Sequence, residues 1–238
     1  MIAQQYYERV LGVLEKAATA QRPSLDEAAD RIAQSLTQGG LLHIFGSGHS
    51  IMIGKEITSR AGGLVPVNLV PDPTEGMAER LEGLGEILLD RYARRHQLLP
   101  GEVIIVVSTS GRNPVPIDVA LKAREMGLYV IAVTSLEYSK LSTSRHSSGK
   151  RLFEVADLAL DNFVPPGDAS VEIPGTGQKA GALSTISGAL VVNMLMLQVI
   201  DRIVEAGEEP PILRSYNLDG ADEHNQKLFE RYRSRLVY

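Results

Sequence analysis

Three runs of almost uninterrupted apolar residues, LLHIF at 41–45, EVIIVVS at 102–108 and LYVIAVTS at 128–135, constrain this chain more than any other feature. A strand with one face in water alternates apolar and polar residues, whereas a strand covered on both faces reads as a continuous apolar run. LVPVNLV (64–70) and part of DLALDNFV (157–164) bring the set to five. Segments of helical spacing stand between the strands: 49–61, closed by Gly62 and Gly63, then 77–97, then PVPIDVALKAREMG at 114–127. This alternation predicts an α/β fold in three layers, a parallel sheet flanked by helices on both faces. Two helices precede the first strand, at 6–21 and after a Ser24 cap, and a long apolar helix covers 181–205. STSRHSSGK (142–150) reads as a surface loop, and PPGDASVEIPGTGQK (165–179) as a polar one. A single domain is expected, with an N-terminal helical pair (1–38), an α/β core (39–206) and a C-terminal tail (207–238) that ends in a charged helix.

Composition narrows the partners. A formal charge of -5 gives no global argument for nucleic acid or membrane, and neither is expected. Cysteine is absent, so disulfides and thiolate metal sites are excluded, and no His/Asp/Glu set has metal-ligand spacing. No metal and no cofactor are therefore predicted. MIAQQYYERV lacks the basic-then-apolar layout of a signal peptide, and ISGALVVNMLMLQVI (186–200) is short for a span and carries Asn193 and Gln198. The expected location is the cytoplasm.

In a parallel sheet, ligands sit at the carboxyl ends of the strands. Two such ends have suitable loops. HIFGSGHS (43–50) breaks into glycines and hydroxyls, and VVSTSGRNP (106–114) puts three hydroxyls, a glycine and an asparagine before a helix. A dinucleotide fingerprint is disfavoured in the first loop, because Ile51 stands where the third glycine belongs and the second strand lacks its terminal acid. The Gly149-Lys150 pair lacks the rest of a P-loop, and Ser147-x-x-Lys150 is too short a pattern to weigh as a nucleophile. Hydroxyls and free N–H groups at a helix start suit a phosphate dianion without a lysine, though such loops also serve as caps. Two of them on neighbouring strands favour a ligand.

GSGHS at the first of these strand ends, with STSGRNP at the other, resembles the sugar isomerase (SIS) family of phosphosugar-binding proteins. The similarity runs over 36–206, with STSG its most specific part. The whole chain, with its tail NLDGADEHN (217–225), is similar to single-domain bacterial SIS proteins that carry the name phosphoheptose isomerase. The resemblance implies a flavodoxin-like parallel sheet and a sugar phosphate held by Ser108, Thr109, Ser110 and Asn113. It implies that Ser50 reaches the ligand too, with Ser47, Gly48 and His49 of the same loop around it. GKEITSR places Glu56 where phosphoheptose isomerases have a catalytic glutamate, although a four-residue gap is needed and Glu56 can equally pair with Arg60 at i+4. The family's histidine on the last long helix has no counterpart: TGQKAGALSTISG offers Gln178 or Lys179 instead.

Aldose–ketose isomerisation needs a base to move a carbon-bound proton and a second group to open the ring or shuttle the hydroxyl proton. His43, inside a strand, reads as core, and His96 and His146 as surface residues, while His49 lies in the first loop. Glu75, in PDPTEGMAERLEG beside Glu79 and Arg80, can overhang that loop or serve a helix start. By resemblance the tail covers the site, with His224 opening the ring while Glu56 moves the proton, across a dimer if the tail is exchanged. The alternative is a helix start and, for the whole protein, a phosphosugar sensor without catalysis. A DNA-binding regulator is disfavoured, because two helices leave no room for the separate domain such regulators carry. The 181–205 helix is apolar nearly all round, with Ile186, Leu190, Val191, Met194, Leu195, Met196 and Leu197, so at least a dimer is expected unless the N-terminal helices cover it.

Overall fold

A computed structural model of the protein describes residues 1–236. Five strands, β1 (Leu42–Gly46), β2 (Val67–Val70), β3 (Val103–Val107), β4 (Tyr129–Thr134) and β5 (Leu158–Asp161), form one sheet in the order β2-β1-β3-β4-β5. Every pairing in it is parallel, with Leu42 opposite both Val67 and Val103. The apolar runs are double-faced as expected. Leu42, Ile44, Val103, Ile105, Val107, Ile131 and Val133 pack on one side against α2 (Arg22–Thr37), α3 (Ile51–Ile57) and α8 (Ser184–Glu205). The intervening Phe45, Ile104, Val106, Val130 and Ala132 pack on the other against α4 (Leu84–His96), α5 (Pro114–Glu125) and α7 (Leu152–Val155). This is the period-two alternation of a strand, with both faces buried.

Several boundaries differ from expectation. Ser24 lies inside α2, which starts after Gln21 with Pro23 in its first turn, so proline at the start rather than serine marks the helix. The helix after β1 stops at Ile57, where the Thr58 hydroxyl donates to Gly54 O and Ser59 turns left-handed. Residues 73–82 are turns, and α4 begins only after Gly83 at φ 85°. The segment read as a polar loop is in part an antiparallel hairpin, β6 (Ala169–Ile173) with β7 (Gln178–Ala182), resting on α1 (Ile2–Thr19). A short α6 (Leu136–Leu141) follows β4.

α8 is long and apolar enough to cross a bilayer by composition, yet it packs along α1, α2 and α3 and buries Val191, Leu195, Met196 and Val199. The N-terminal helices thus cover part of it, leaving Ile186, Leu197 and Val204 exposed. The tail runs back past the amino end of the sheet. Leu64, ahead of β2, bridges Ile212, and Leu213, Tyr232 and Leu236 close over Leu41 and Val65. The last helix, α9 (Ala221–Tyr232), lies on that side.

Candidate functional site

β1 lies between β2 and β3, which are reached by crossovers in opposite directions, so the strand order reverses between β1 and β3. The two loops leaving their carboxyl ends must diverge there and open a crevice. The chain places its two serine loops at this point. A pocket of about 360 Å³ is lined by Ser47, Gly48, His49 and Ser50 from one loop and by Ser108, Thr109, Ser110 and Asn113 from the other. Ile53, Glu79, Tyr138, Gly167, Asp168, Ser184 and Thr185 complete its wall. It is neither the largest cavity nor the most apolar; a larger one lies between α1 and the hairpin.

Each loop is held from behind. Ser47 is buried and donates its hydroxyl to Asp72 Oδ2 at 2.7 Å, and the same carboxylate accepts from the Thr74 hydroxyl and the N–H groups of Thr74 and Gly76. Burial alone would push the Asp72 carboxyl up, but these donors together hold it below its usual value. Asp72 is therefore a buttress, and Ser47 its anchor. Gly76 lies so close to Gly48 that an added Cβ would stand 2.6 Å from the Gly48 Cα. The second loop is sewn to the end of β4: Ser135 N and the Thr134 hydroxyl donate to Thr109 O, and the Ser139 hydroxyl donates to Ser110 O. Gly111, at φ 59°, turns where a Cβ would meet the Ser139 hydroxyl at 2.7 Å. Asn113 caps α5 by position, with its Oδ1 accepting from Arg145 Nη1 at 2.8 Å.

The pocket also holds a carboxylate that sequence reasoning passed over in favour of Glu75. Glu79 lines the wall beside Asn113. Burial pushes its carboxyl above the usual range, against the pull of the Asn113 hydrogen bond and of Arg145 and Arg80. Position after β2 does not distinguish the two, because the turns that separate them leave no helical period to follow. On the opposite wall, Asp168 accepts from Leu183 N, Ser184 N and the Ser184 hydroxyl, which satisfies the start of α8. Asp168 sits at φ 67°, in a segment whose sequence read only as loop.

Four candidates lie outside the pocket wall. Glu75 is exposed at φ 51°. Lys179 is exposed on the hairpin and pairs with Glu172 at 3.9 Å. Glu56 faces away along α3, paired with Arg60 and accepting from Asn193 Nδ2 of α8 at 3.0 Å. His224 is hydrogen-bonded to Ile212 O at 3.0 Å, at the amino end of the sheet, so within one chain the tail does not cover the serine loops. His146, read as a surface residue, is largely covered and bonds Asp118 at 3.0 Å. His43 is a core residue as expected, with its ring nitrogens toward Tyr92 Oη at 2.7 Å and Glu102 at 3.2 Å.

Comparison with known proteins agrees with this architecture. A UPF0309 protein of Shouchella clausii is 39% identical over 99% of this chain and 98% of its own length. A phosphoheptose isomerase from Francisella tularensis has a similar fold, with a TM-score of 0.58 at 18% identity, over 83% of this chain and 95% of that one. The NanR protein of Vibrio vulnificus, solved in complex with ManNAc-6P, superposes with a TM-score of 0.55 at 17% identity, over 98% of this chain and 69% of that one. The SIS domain sequence model matches residues 5–135, and together with the near full-length relative this shows that the chain belongs to the SIS domain family.

Proposed function

We propose that this pocket binds a phosphorylated sugar and that the protein isomerises it by proton transfer between adjacent carbons. The observation that carries the reading is the presence, in one crevice, of two hydroxyl-bearing loops and a desolvated carboxylate, Glu79. The volume suits a small polar ligand. Hydroxyls and backbone N–H groups of the 108–113 loop provide charge-assisted donors for the phosphate. That NanR was solved with a phosphosugar supports the ligand class.

Glu79 is assigned as the base. Its raised pKa brings a carboxylate nearer to the working pH of a base that must take a proton from carbon and return it. The proton leaves one carbon to Glu79, an enediol forms, and the proton returns to the neighbouring carbon. His49, exposed at the rim of the first loop, is assigned to the hydroxyl proton and ring opening. Glu56 and His224, assigned those roles by resemblance, lie outside the pocket of their own chain, so their participation requires a second chain. The exposed face of α8 is where we place that second copy, and the cytoplasm is the compartment we assign.

The test is exchange of the sugar C2 proton with deuterated solvent, followed by NMR. Glu79→Gln should slow exchange by roughly 10²–10⁴-fold, and Ser110→Ala should weaken binding by about 1–3 kcal/mol. Exchange that survives in Glu79→Gln refutes the base assignment. Tight binding with no exchange in the native protein refutes catalysis and leaves a phosphosugar sensor.

A further inference from the structure

Three arginines lie close to the second serine loop, just outside the pocket wall. Arg112 belongs to the second serine loop, between pocket-lining Ser110 and Asn113, and its Nε is buried without a hydrogen-bond partner among the described residues. Arg145 reaches Asn113 Oδ1 at 2.8 Å, and its N–H donates to Arg112 O at 2.9 Å. Arg80 follows Glu79, and the three guanidinium groups are close enough that repulsion from Arg112 and Arg80 adds to desolvation in lowering the Arg145 pKa.

Neighbouring carboxylates are committed elsewhere. Asp72 is bound by Ser47, Thr74 and Gly76. Asp118 accepts from Gly83 N, Gly85 N and His146, and Glu82 from the N–H and hydroxyl of Ser147. Those last contacts fasten the serine-rich loop, and so hold Arg145 beside the pocket. Glu79 lies beside Arg145 and Arg80, and burial pushes its carboxyl above the usual range. Like charges gathered together, with a guanidinium nitrogen buried and unsatisfied, are costly unless an anion completes them.

We propose that Arg80, Arg112 and Arg145 form a second anion subsite beside the hydroxyl loops, so that the ligand is a sugar phosphate bearing a further acidic group. This rests on the phosphosugar reading and narrows it: one anion takes the hydroxyl loops, and the other takes the guanidinium cluster. The second group is a carboxylate or a second phosphate, which share the oxygen geometry that guanidinium donors match.

Titration calorimetry with two matched pairs tests this: glucitol 6-phosphate against 6-phosphogluconate, and fructose 6-phosphate against fructose 1,6-bisphosphate. The doubly anionic member of at least one pair should bind about tenfold tighter or more, and the pair that shows the gain identifies the second group. The gain should shrink as salt is raised. Arg112→Gln with Arg145→Gln should bring the ratio within that pair to about one. The exposed single change Arg80→Gln gives a partial loss if the double variant does not fold. Equal binding within both pairs, or a gain that survives in these variants, overturns the subsite while leaving phosphosugar binding intact. No binding of any of the four overturns both.

Discussion

Replacing Gly76 by alanine would separate two costs that usually arrive together. Gly76 sits at φ 85°, where any side chain is strained, and its missing Cβ is the space in which the Gly48 backbone lies, 2.6 Å from Cα and 2.7 Å from N. The left-handed conformation costs an L-residue about 1–2 kcal/mol. Backbone cannot rotate aside as a side chain can, so the overlap should add about 1–3 kcal/mol, the range found when methylenes are forced into packed sites. Gly101 is the control: φ 88° and nothing within 4 Å of its virtual Cβ. Urea unfolding should give a loss of about 1–2 kcal/mol for Gly101→Ala and about 2–5 kcal/mol for Gly76→Ala. Phosphosugar affinity should fall only for Gly76→Ala, because relief of the clash moves the 47–50 loop off its buttress. Equal stability losses for the two variants would refute the claim that the 72–76 turn is packed against the first serine loop.

Two further outcomes follow from the structure. Burial holds the His43 imidazole below its usual value despite Glu102, so the unfolded chain takes up that proton first as pH falls. Stability should therefore drop from about pH 6.5 downward, by at most about 1.4 kcal/mol per pH unit from this group, and His43→Gln should flatten that slope in urea titrations at successive pH values. Glu102, whose carboxyl is also held low by His43 and two backbone donors against its burial, extends the loss below pH 4.5. Light scattering at micromolar concentration should show at least a dimer, and Leu197→Glu, on the exposed stripe of α8, should shift it toward monomer. A native protein that is monomeric there removes the reason for Glu56, bonded to Asn193 of the same helix, to meet another chain's pocket.

The sheet was legible because burial on both faces writes itself into consecutive residues: LLHIF, EVIIVVS and LYVIAVTS could hardly be anything else. Its order could then be narrowed by resemblance, and the two serine loops followed from where β1 and β3 end. Features set by backbone turns were not legible. Residues 73–82 carry helix-forming residues but fold as successive turns, so the position of Glu79 relative to the pocket depends on Gly76 and Gly83 at positive φ rather than on any periodicity. The hairpin of 169–182 hid because β7 is mostly exposed, β6 buries only Val171, and the residues between them, PGTG, resemble a loop from end to end. His146 hid for another reason: its partners Asp118 and Glu82 come from 28 and 64 positions away.

The tail shows how polar density can mislead. The stretch 215–226 suggested a site because it gathers acids, asparagines and a histidine. Much of that chemistry is used on irregular backbone: Asn225 accepts from Arg214 N and donates to Arg214 O, Ser215 accepts from Asn217 N, and His224 bonds Ile212 O. A segment without a regular ladder must satisfy its N–H and C=O groups with side chains, and burying it demands such residues whether or not a ligand is near. Its end is also tied into the core, where Arg235 bonds Glu102 at 2.7 Å and Arg235 O accepts from Asn68 of β2. Truncation before Ser215 would leave Glu102 without its cationic partner and uncover Leu41 and Val65, so it acts on stability at the amino end of the sheet while the serine loops stand at the carboxyl end. Chemistry attributed to the tail can then be separated from support: a loss of turnover on truncation that is restored by stabilising conditions belongs to the brace, and one that is not belongs to a site shared between chains.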